Sequence, residues 1–290
     1  MMIVKDVERM PEYAKCSADG MQSKFYNPDN NCWYKQDYLG TEGLSEYVSS
    51  LLLEDSNIEH VDYQPCRFKN NKKTVVGCCS ENFLKPGERL ISTYELIKKH
   101  KNIDIADEIV PMEVEDRIKY YVDTIVEITG IQDFGQYLTK LLQLDAVIKN
   151  DDRHFNNISV IQAEDGSYKV APVYDNGGAF LSDQYTYGDD LSKDEIYKQM
   201  DAVQAKPFSV DFDAQLDACE SLYPTRLQLK KDICINKEIL PCFYKESDIQ
   251  KVEEMIRQGQ RKYGYLFPSP VKEKHAELDN NHLPENGLDF

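Results

Sequence analysis

Apolar residues recur at helical spacing in several long stretches of the chain. Such spacing places them on one face of a helix, which can then pack against a core. The pattern predicts helices over 41–53, 114–126 and 133–148, and further helices over 211–223, 226–240 and from 247 onward. The apolar positions of the first three are Leu44, Tyr47, Val48 and Leu51; Val114, Ile118, Tyr121, Val122, Ile125 and Val126; and Phe134, Tyr137, Leu138, Leu141, Leu142 and Ile148.

Short apolar and aromatic runs between turn residues predict strands. These runs lie within 10–35, 57–68 and 74–79, and a later hairpin is predicted from 158–161 and 168–173. Strands therefore dominate the first part of the chain and helices the rest. The pattern indicates an α+β protein with a small β-rich lobe over 1–84, which contains one important helix, and a larger, mainly helical lobe over 85–268.

Composition narrows the class of protein. The net charge of -17 argues against non-specific binding of nucleic acid, because such binding depends on cations that neutralise phosphates. It also disfavours docking on anionic membranes. The eight cysteines include no C-x-x-C pair and are expected to be buried thiols in a reducing cytosol. We recognise no signal peptide and no apolar run of membrane-spanning length, so we expect a cytoplasmic protein. The stretch 269–290 is rich in charge, Asn and Pro and is predicted to be a disordered tail.

A dense group of polar side chains follows the helix that is predicted to end near Ile148. It runs from Asn150 to Asn157, and a further carboxylate, Asp175, comes after the predicted hairpin. Phosphoryl transfer requires a carboxylate that orients and deprotonates a hydroxyl, and oxygen ligands that hold Mg²⁺ against the phosphates. Asp152, an Asn five residues later and a second Asp beyond two short strands supply that set.

The pattern D-x-H-x-x-N in Asp152 to Asn157, with Tyr174-Asp175 after it, resembles the catalytic core of the HipA-like kinases. These are a bacterial branch of the protein-kinase fold. The resemblance implies a two-lobed protein-kinase-like fold and an ATP- and Mg²⁺-dependent enzyme that phosphorylates serine or threonine hydroxyls of proteins, with autophosphorylation as one form of this. It assigns Asp152 as the catalytic base, and Asn157 and Asp175 as metal ligands.

The same resemblance gives roles to residues of the small lobe. Lys35 ends a short aromatic strand and would contact the nucleotide phosphates, oriented by Glu46 on the helix over 41–53, with Glu42 as the open alternative. The loop 17–23 would cover the phosphates, although its single glycine does not make a G-x-G-x-x-G motif. Its candidate nucleotide-binding residues are Ser17, Gly20 and Ser23. The candidate hinge residues, whose backbone would bind adenine, are Glu81 and Phe83.

Two other functions stay open. A similar D-R-H-x-x-N and D-x-G pairing occurs in phosphoinositide kinases, so a phosphoinositide or small-molecule kinase is one alternative. The poor glycine loop leaves a pseudokinase, acting as the binding module of a toxin–antitoxin type of system, as the other. The expected partners are ATP, a protein substrate and a small partner protein, with no direct contact to nucleic acid or membrane.

Three positions near the motif carry further expectations. Asp145 lies on the apolar face of its helix, and a buried carboxylate is costly unless it is hydrogen-bonded. We therefore expect Asp145 to be buried and to brace the loop through Arg153, His154 or backbone amides. Asp151 is expected to face solvent. The acidic stretch 182–195 is predicted to be a loop that holds the substrate, is phosphorylated or is merely solvated.

Overall fold

The computed structural model describes residues 4–5, 23–70 and 73–268. The strands of the small lobe are β1 (Val4–Lys5), β2 (Lys24–Asn27), β3 (Cys32–Gln36), β4 (Gln64–Asn70) and β5 (Lys73–Glu81). They form a sheet in the order β1-β4-β5-β3-β2, in which β1 is parallel to β4 and the other neighbours are antiparallel. The register sets Lys35 on β3 opposite Lys24 on β2 and Cys78 on β5.

One helix packs against this sheet. It is α1 (Glu42–Leu53), which buries Leu44, Val48 and Leu52 completely. The sheet itself is tight where β5 passes β3, since a Cβ added to Gly77 would lie 1.9 Å from the backbone oxygen of Lys35. Glycine is required at this point because any side chain would push β3 away and move Lys35.

The large lobe is mainly helical. Its helices are α2 (Thr93–Lys101), α3 (Ile105–Glu108), α4 (Val114–Thr129), α5 (Phe134–Ile148), α6 (Gln184–Tyr187), α7 (Lys193–Ala202), α8 (Phe212–Leu222) and α9 (Glu246–Lys262), with 3-10 turns at Leu240–Cys242 and Gly264–Leu266. Helix α5 lies in the centre and contacts α4, α8 and α9. Tyr121 of α4 is at the middle of an aromatic cluster with Phe134, Phe155 and Phe208, at ring-centroid distances of 5.0–5.8 Å.

A second sheet lies in the large lobe, and its last two strands connect the loop after α5 to Asp175. Its strands are β6 (Arg89–Ser92), β7 (Ser159–Gln162) and β8 (Tyr168–Val170), in that order and antiparallel. The predicted hairpin is confirmed as β7 and β8. Strand β6 was not predicted.

Three of the predicted elements differ from the structure. No helix covers 226–239, because its backbone pairs with other segments: the N–H groups of Leu229 and Lys230 donate to the carbonyls of Leu266 (2.8 Å) and Leu52 (2.9 Å). Leu227 and Leu229 alternate with exposed neighbours, as in extended chain. The strand predicted over 57–68 begins only at Gln64, and the stretch 182–195 contains α6 and the start of α7 rather than loop alone.

The mixed α and β architecture, with a small sheet lobe and a larger helical lobe, confirms the predicted fold class. Ser17, Gly20 and the predicted tail over 269–290 lie outside the described residues. Across the part of the chain that the structure describes, every helix is too short or too polar to pass through a membrane.

Candidate active site

The candidate active site begins where α5 ends. Lys149 adopts a left-handed conformation with φ of 55°, a conformation that often ends helices, and its N–H donates to the carbonyl of Asp145. The N–H of Asn150 donates to the same carbonyl at 3.1 Å. These bonds stop the helix and turn the chain sharply, so the loop 150–157 leaves the end of a buried helix as predicted. We call it the catalytic loop after its predicted role.

A fully buried arginine holds the catalytic loop from behind. Arg153 forms a two-pronged ion pair with Asp145, from Nε to Oδ2 at 2.9 Å and from Nη2 to Oδ1 at 3.0 Å. Its remaining N–H groups donate to the carbonyls of Asn157 (3.2 Å) and Tyr174 (3.0 Å) and to Oδ1 of Asn176 (2.6 Å). The expectation that Asp145 is buried and braces the loop is confirmed.

The charge state of this brace follows from its surroundings. Burial alone would lower the pKa of Arg153, but the carboxylate of Asp145 outweighs burial and raises the pKa above its ordinary value. The side-chain amide of Asn150 adds a further bond to Asp145 Oδ1 at 3.0 Å. A charged guanidinium therefore joins α5, the catalytic loop and the segment that carries Asp175.

Asp152 points away from this brace. Its side chain is 54% exposed, and its Oδ1 lies 3.5 Å from Nζ of Lys206 and 4.0 Å from Nε2 of His154. Burial lowers the pKa of His154, so the imidazole is neutral near pH 7. A Cβ added to Gly178 would lie 2.6 Å from Cβ of Asp152, so the segment after Asp175 passes directly against the loop. The carboxylate of Asp152 is thus open to a substrate hydroxyl.

Asp151 is the less exposed of the two neighbouring carboxylates. The hydroxyl of Tyr187, at the end of α6, donates a hydrogen bond to Asp151 Oδ2, and burial raises the pKa of Asp151. The expectation that Asp151 faces solvent is wrong, because α6 covers it. This arrangement leaves Asp152 as the accessible carboxylate, in agreement with its assignment as the base, which stays a prediction.

Asp175 forms ion pairs with two lysines. Its Oδ1 accepts from Nζ of Lys35 at 2.8 Å and its Oδ2 accepts from Nζ of Lys24 at 3.0 Å. Burial alone would raise the pKa of Asp175, but the two ammonium groups outweigh burial and hold the pKa below its usual range. Asp175 also has a left-handed backbone, with φ of 59°, which is uncommon outside glycine. A strained backbone of this kind is typical of functional sites.

The lysine of β3 pairs with the predicted helix carboxylate. Lys35 Nζ donates to Oε1 of Glu46, which is fully buried, and Oε2 of Glu46 accepts the backbone N–H of Asn176 at 2.8 Å. Glu42 does not pair with Lys35, because its carboxylate accepts hydrogen bonds from the three backbone N–H groups of residues 38–40. The structure thus separates the two candidates, and Glu46 links α1 to the segment of Asp175.

The donor set of the site suits a magnesium ion. Both oxygens of the ionised Asp175 hold ammonium groups, so this position attracts cations. Asn157 donates its side-chain N–H to the carbonyl of Asp152 at 2.9 Å, which fixes the amide and leaves its oxygen as the atom that can bind a metal. Carboxylate and amide oxygens are hard ligands of the kind that Mg²⁺ takes. The residues present therefore fit the ion that a kinase fold implies.

The remaining candidate nucleotide residues are placed only in part. Ser23 is exposed and immediately precedes β2, and its carbonyl accepts from the N–H of Gln36 at 3.1 Å. Glu81 is the exposed last residue of β5, and the ring of Phe83 lies 6.0 Å from that of Tyr174. These contacts do not test adenine or phosphate binding, and the roles of these residues stay predictions.

Two lysines of the site were not recognised in the sequence. Lys24 directly follows the predicted phosphate loop, and this neighbourhood is the signal that could have identified it. Lys206 lies between α7 and α8 in a stretch without a motif, so the fold alone brings it to Asp152.

Comparison with known proteins supports the architecture. No protein-family model and no curated protein matches the sequence. The chain is similar to the crystal structure of the Helicobacter pylori proinflammatory kinase CtkA, with a TM-score of 0.60, 16% identity, and coverage of 88% of this chain and 92% of that chain.

A weaker likeness exists to a chain in the structure of the Shewanella oneidensis MR-1 toxin–antitoxin system HipA, HipB and its operator DNA. Its TM-score is 0.40 at 11% identity, and it covers 84% of this chain and 64% of that chain. The likeness to CtkA shows the fold. The chain therefore has the fold of this kinase, which confirms the two-lobed kinase-like fold that the resemblance to the HipA-like kinases implies.

Proposed function

We propose that this protein is an ATP- and Mg²⁺-dependent kinase that transfers the γ-phosphate of ATP to a serine or threonine hydroxyl of a protein. The observation that carries the proposal is the convergence of charged groups from both lobes on Asp175. Lys24 and Lys35 come from the sheet, Glu46 comes from α1, and the accessible carboxylate of Asp152 lies in the adjoining catalytic loop.

Each group of this cluster has a defined task in phosphoryl transfer. Lys35, oriented by Glu46, and Lys24 would bind the phosphates of ATP. Asp175 and Asn157 would hold Mg²⁺, which neutralises charge on the phosphates when it is bound. Asp152 would orient the acceptor hydroxyl and accept its proton.

The charge of the protein supports a basic acceptor. The chain carries a net charge of -17, and acidic residues are frequent in 182–195, which follows Asp175. A protein segment with basic residues near its hydroxyl would be steered to such a surface, at a rate that falls as the salt concentration rises. The described cysteines are free thiols, which supports a cytoplasmic enzyme, although the expectation that they are all buried is wrong because Cys234 and Cys242 are exposed.

Nucleotide binding is the first test. Calorimetry with a non-hydrolysable ATP analogue, with and without Mg²⁺, should show binding that Mg²⁺ strengthens. The Asp175→Ala variant should lose this metal-dependent part, whereas Asp152→Ala should retain it. Absence of binding at millimolar nucleotide in both conditions would contradict the kinase proposal.

Transfer is the second test. Incubation of the protein with labelled ATP and Mg²⁺, alone and with a cell lysate, should place phosphate on serine or threonine of the protein itself or of a lysate protein. Binding without any transfer would instead indicate a pseudokinase, and label on lipid would indicate a phosphoinositide kinase. Loss of transfer in Asp151→Ala with full activity in Asp152→Ala would move the base by one residue.

A further inference from the structure

A second element outside the catalytic loop brings a cation to Asp152. The loop 203–211 connects α7 to α8, and Lys206 in this loop places its Nζ 3.5 Å from Oδ1 of Asp152. The two residues are 54 positions apart in the chain, so only the fold of the large lobe joins them.

The backbone around Lys206 is firmly held. The N–H of Ala205 donates to the carbonyl of Val210 at 2.8 Å, which closes the loop, and Gln215 donates to the carbonyl of Lys206 at 3.2 Å. Arg117 of α4 donates to the carbonyl of Phe208 at 2.8 Å. The position of the loop therefore does not depend on the contact between Lys206 and Asp152.

The same loop is packed onto the catalytic loop. Phe208 is fully buried, and its ring lies 5.6 Å from the ring of Phe155, three residues after Asp152. Both rings also contact Tyr121, at 5.3 Å and 5.0 Å between centroids. This aromatic contact fixes the origin of the Lys206 side chain relative to the base.

Other cations near the site are already engaged. Arg153 is committed to the brace behind the loop, and Lys24 and Lys35 bind Asp175. Of the lysines and arginines that the structure describes, Lys206 is the one that forms an ion pair with the carboxylate of Asp152.

The contact is too exposed to serve stability. The side chains of Lys206 and Asp152 are 52% and 54% exposed. Ion pairs of this kind contribute little to folding because water screens them and their side chains lose entropy. Both groups are therefore accessible to a substrate that binds at Asp152.

We propose that Lys206 is a further catalytic residue, which binds an oxygen of the γ-phosphoryl group during transfer. This inference rests on the proposed kinase function. The acceptor oxygen forms a bond to the γ-phosphorus while its proton passes to the carboxylate of Asp152. The bond from the γ-phosphorus to the bridging oxygen breaks, and its electron pair stays on ADP.

The position of Lys206 suits this step. The γ-phosphorus must approach the hydroxyl that Asp152 orients, so the transferred group passes beside the ammonium that contacts Asp152. A flexible lysine carries a compact positive charge with three donors and can turn from the carboxylate to the phosphoryl oxygens. Positive charge beside the transferred group stabilises the transition state of phosphoryl transfer, because that group carries negative charge on its oxygens.

The test compares Lys206→Met and Lys206→Arg with Lys198→Met, which changes an exposed lysine on α7 outside the site. Lys206→Met should lower kcat about 100-fold, the usual loss on removal of one electrostatic contact to the transition state. This variant should bind the ATP analogue more weakly than the wild type does, but ADP equally well, because only ATP carries a γ-phosphate. Its Tm should be unchanged. Lys206→Arg should recover part of kcat, and Lys198→Met should match the wild type.

Three results would overturn the proposal. Wild-type kcat in Lys206→Met would show that the ammonium does not act in transfer, while the kinase function would stand. A loss of affinity that is equal for ATP and ADP, or a lowered Tm, would assign Lys206 a general structural role. Absence of phosphate transfer by the wild-type protein would remove the kinase function itself and this inference with it.

Discussion

The catalytic loop has an ion pair on each side, and the two pairs differ in burial and in contact geometry. Behind the loop, Arg153 and Asp145 are completely buried and joined by two hydrogen bonds. In front, Lys206 and Asp152 are both more than half exposed and meet at 3.5 Å. The first pair fixes where the loop lies. The second leaves its groups free to exchange partners, as the proposed base would do in every cycle.

This comparison predicts that Arg153→Met has the largest effect on folding. Removing one partner of a buried ion pair leaves an uncompensated charge and costs about 3–5 kcal/mol. The variant should unfold at much lower denaturant concentration and lose activity. Urea unfolding followed by circular dichroism measures the change, with Lys206→Met as the matched control on the exposed side. Equal stability of the two variants would abolish the distinction between the pairs.

Asp152→Asn should have the opposite profile. It keeps the shape of the side chain but removes the proposed base, so the rate of transfer should fall by about two to four orders of magnitude. Because the carboxylate is exposed and its ion pair weak, the free energy of unfolding should stay within about 0.5 kcal/mol of the wild type. A large loss of stability in this variant would mean that the front of the loop is structural after all.

Asp145→Asn sharpens the comparison further. The asparagine can still accept one of the two bonds from Arg153 but no longer neutralises it, so we expect a loss of stability that approaches that of Arg153→Met, together with slower transfer because the loop is less well positioned. Nucleotide affinity should change little, since Asp145 lies behind the loop. Wild-type Tm and wild-type rate would show that the brace needs no negative charge.

The carboxylate of Asp37 shows what burial does when no cation is paired with it among the residues that the structure describes. Asp37 accepts the N–H of Gly43 at 2.7 Å and lies beside the hydroxyl of Tyr244, but burial, together with Glu42, raises the pKa of Asp37 to about 7. The folded protein thus binds this proton more tightly than the unfolded chain, whose carboxyl has a pKa near 3.8. The stabilisation is complete below pH 3.8 and is lost as the pH rises through 7.

The consequence is a pH-dependent stability in the small lobe. Between pH 6 and pH 8 the wild type should lose about 1 kcal/mol of unfolding free energy through Asp37, because one pKa unit corresponds to about 1.4 kcal/mol. Asp37→Asn should remove this slope, whereas Asp145→Asn should not. Urea titrations at the two pH values measure the difference, and parallel slopes for wild type and Asp37→Asn would contradict it.

Local sequence patterns are sufficient to predict the buried part of the site, which includes Asp145 and Lys35. The helical phase placed Asp145 on the buried face of α5, and the order of strand and helix placed Lys35 with an acidic residue of α1. The choice of Glu46 over Glu42 needed the structure, because both carboxylates lie on one face and only the backbone of 38–40 shows why Glu42 is occupied.

The contacts that Lys24 and Lys206 make in the site could not be predicted from local patterns. Lys24 meets Asp175 across 151 positions, and Lys206 reaches Asp152 from a loop with no motif. The prediction of a helix over 226–240 is wrong for a related reason. The N–H groups of Leu229 and Lys230 donate hydrogen bonds to distant carbonyls, and these bonds outweigh the local preference for a helix. Asp151 was misplaced because Tyr187, which covers it, comes from a stretch predicted as loop.

The five hydrogen bonds of Arg153 have a consequence for motion within the folded protein. They join α5, the catalytic loop and the segment Tyr174 to Asn176 through one side chain. These segments should therefore open as one cooperative unit, with a common free energy of opening in amide hydrogen exchange. Asp175 could not swing away from the site by itself, because the carbonyl before it and the side chain after it are both held by the same guanidinium.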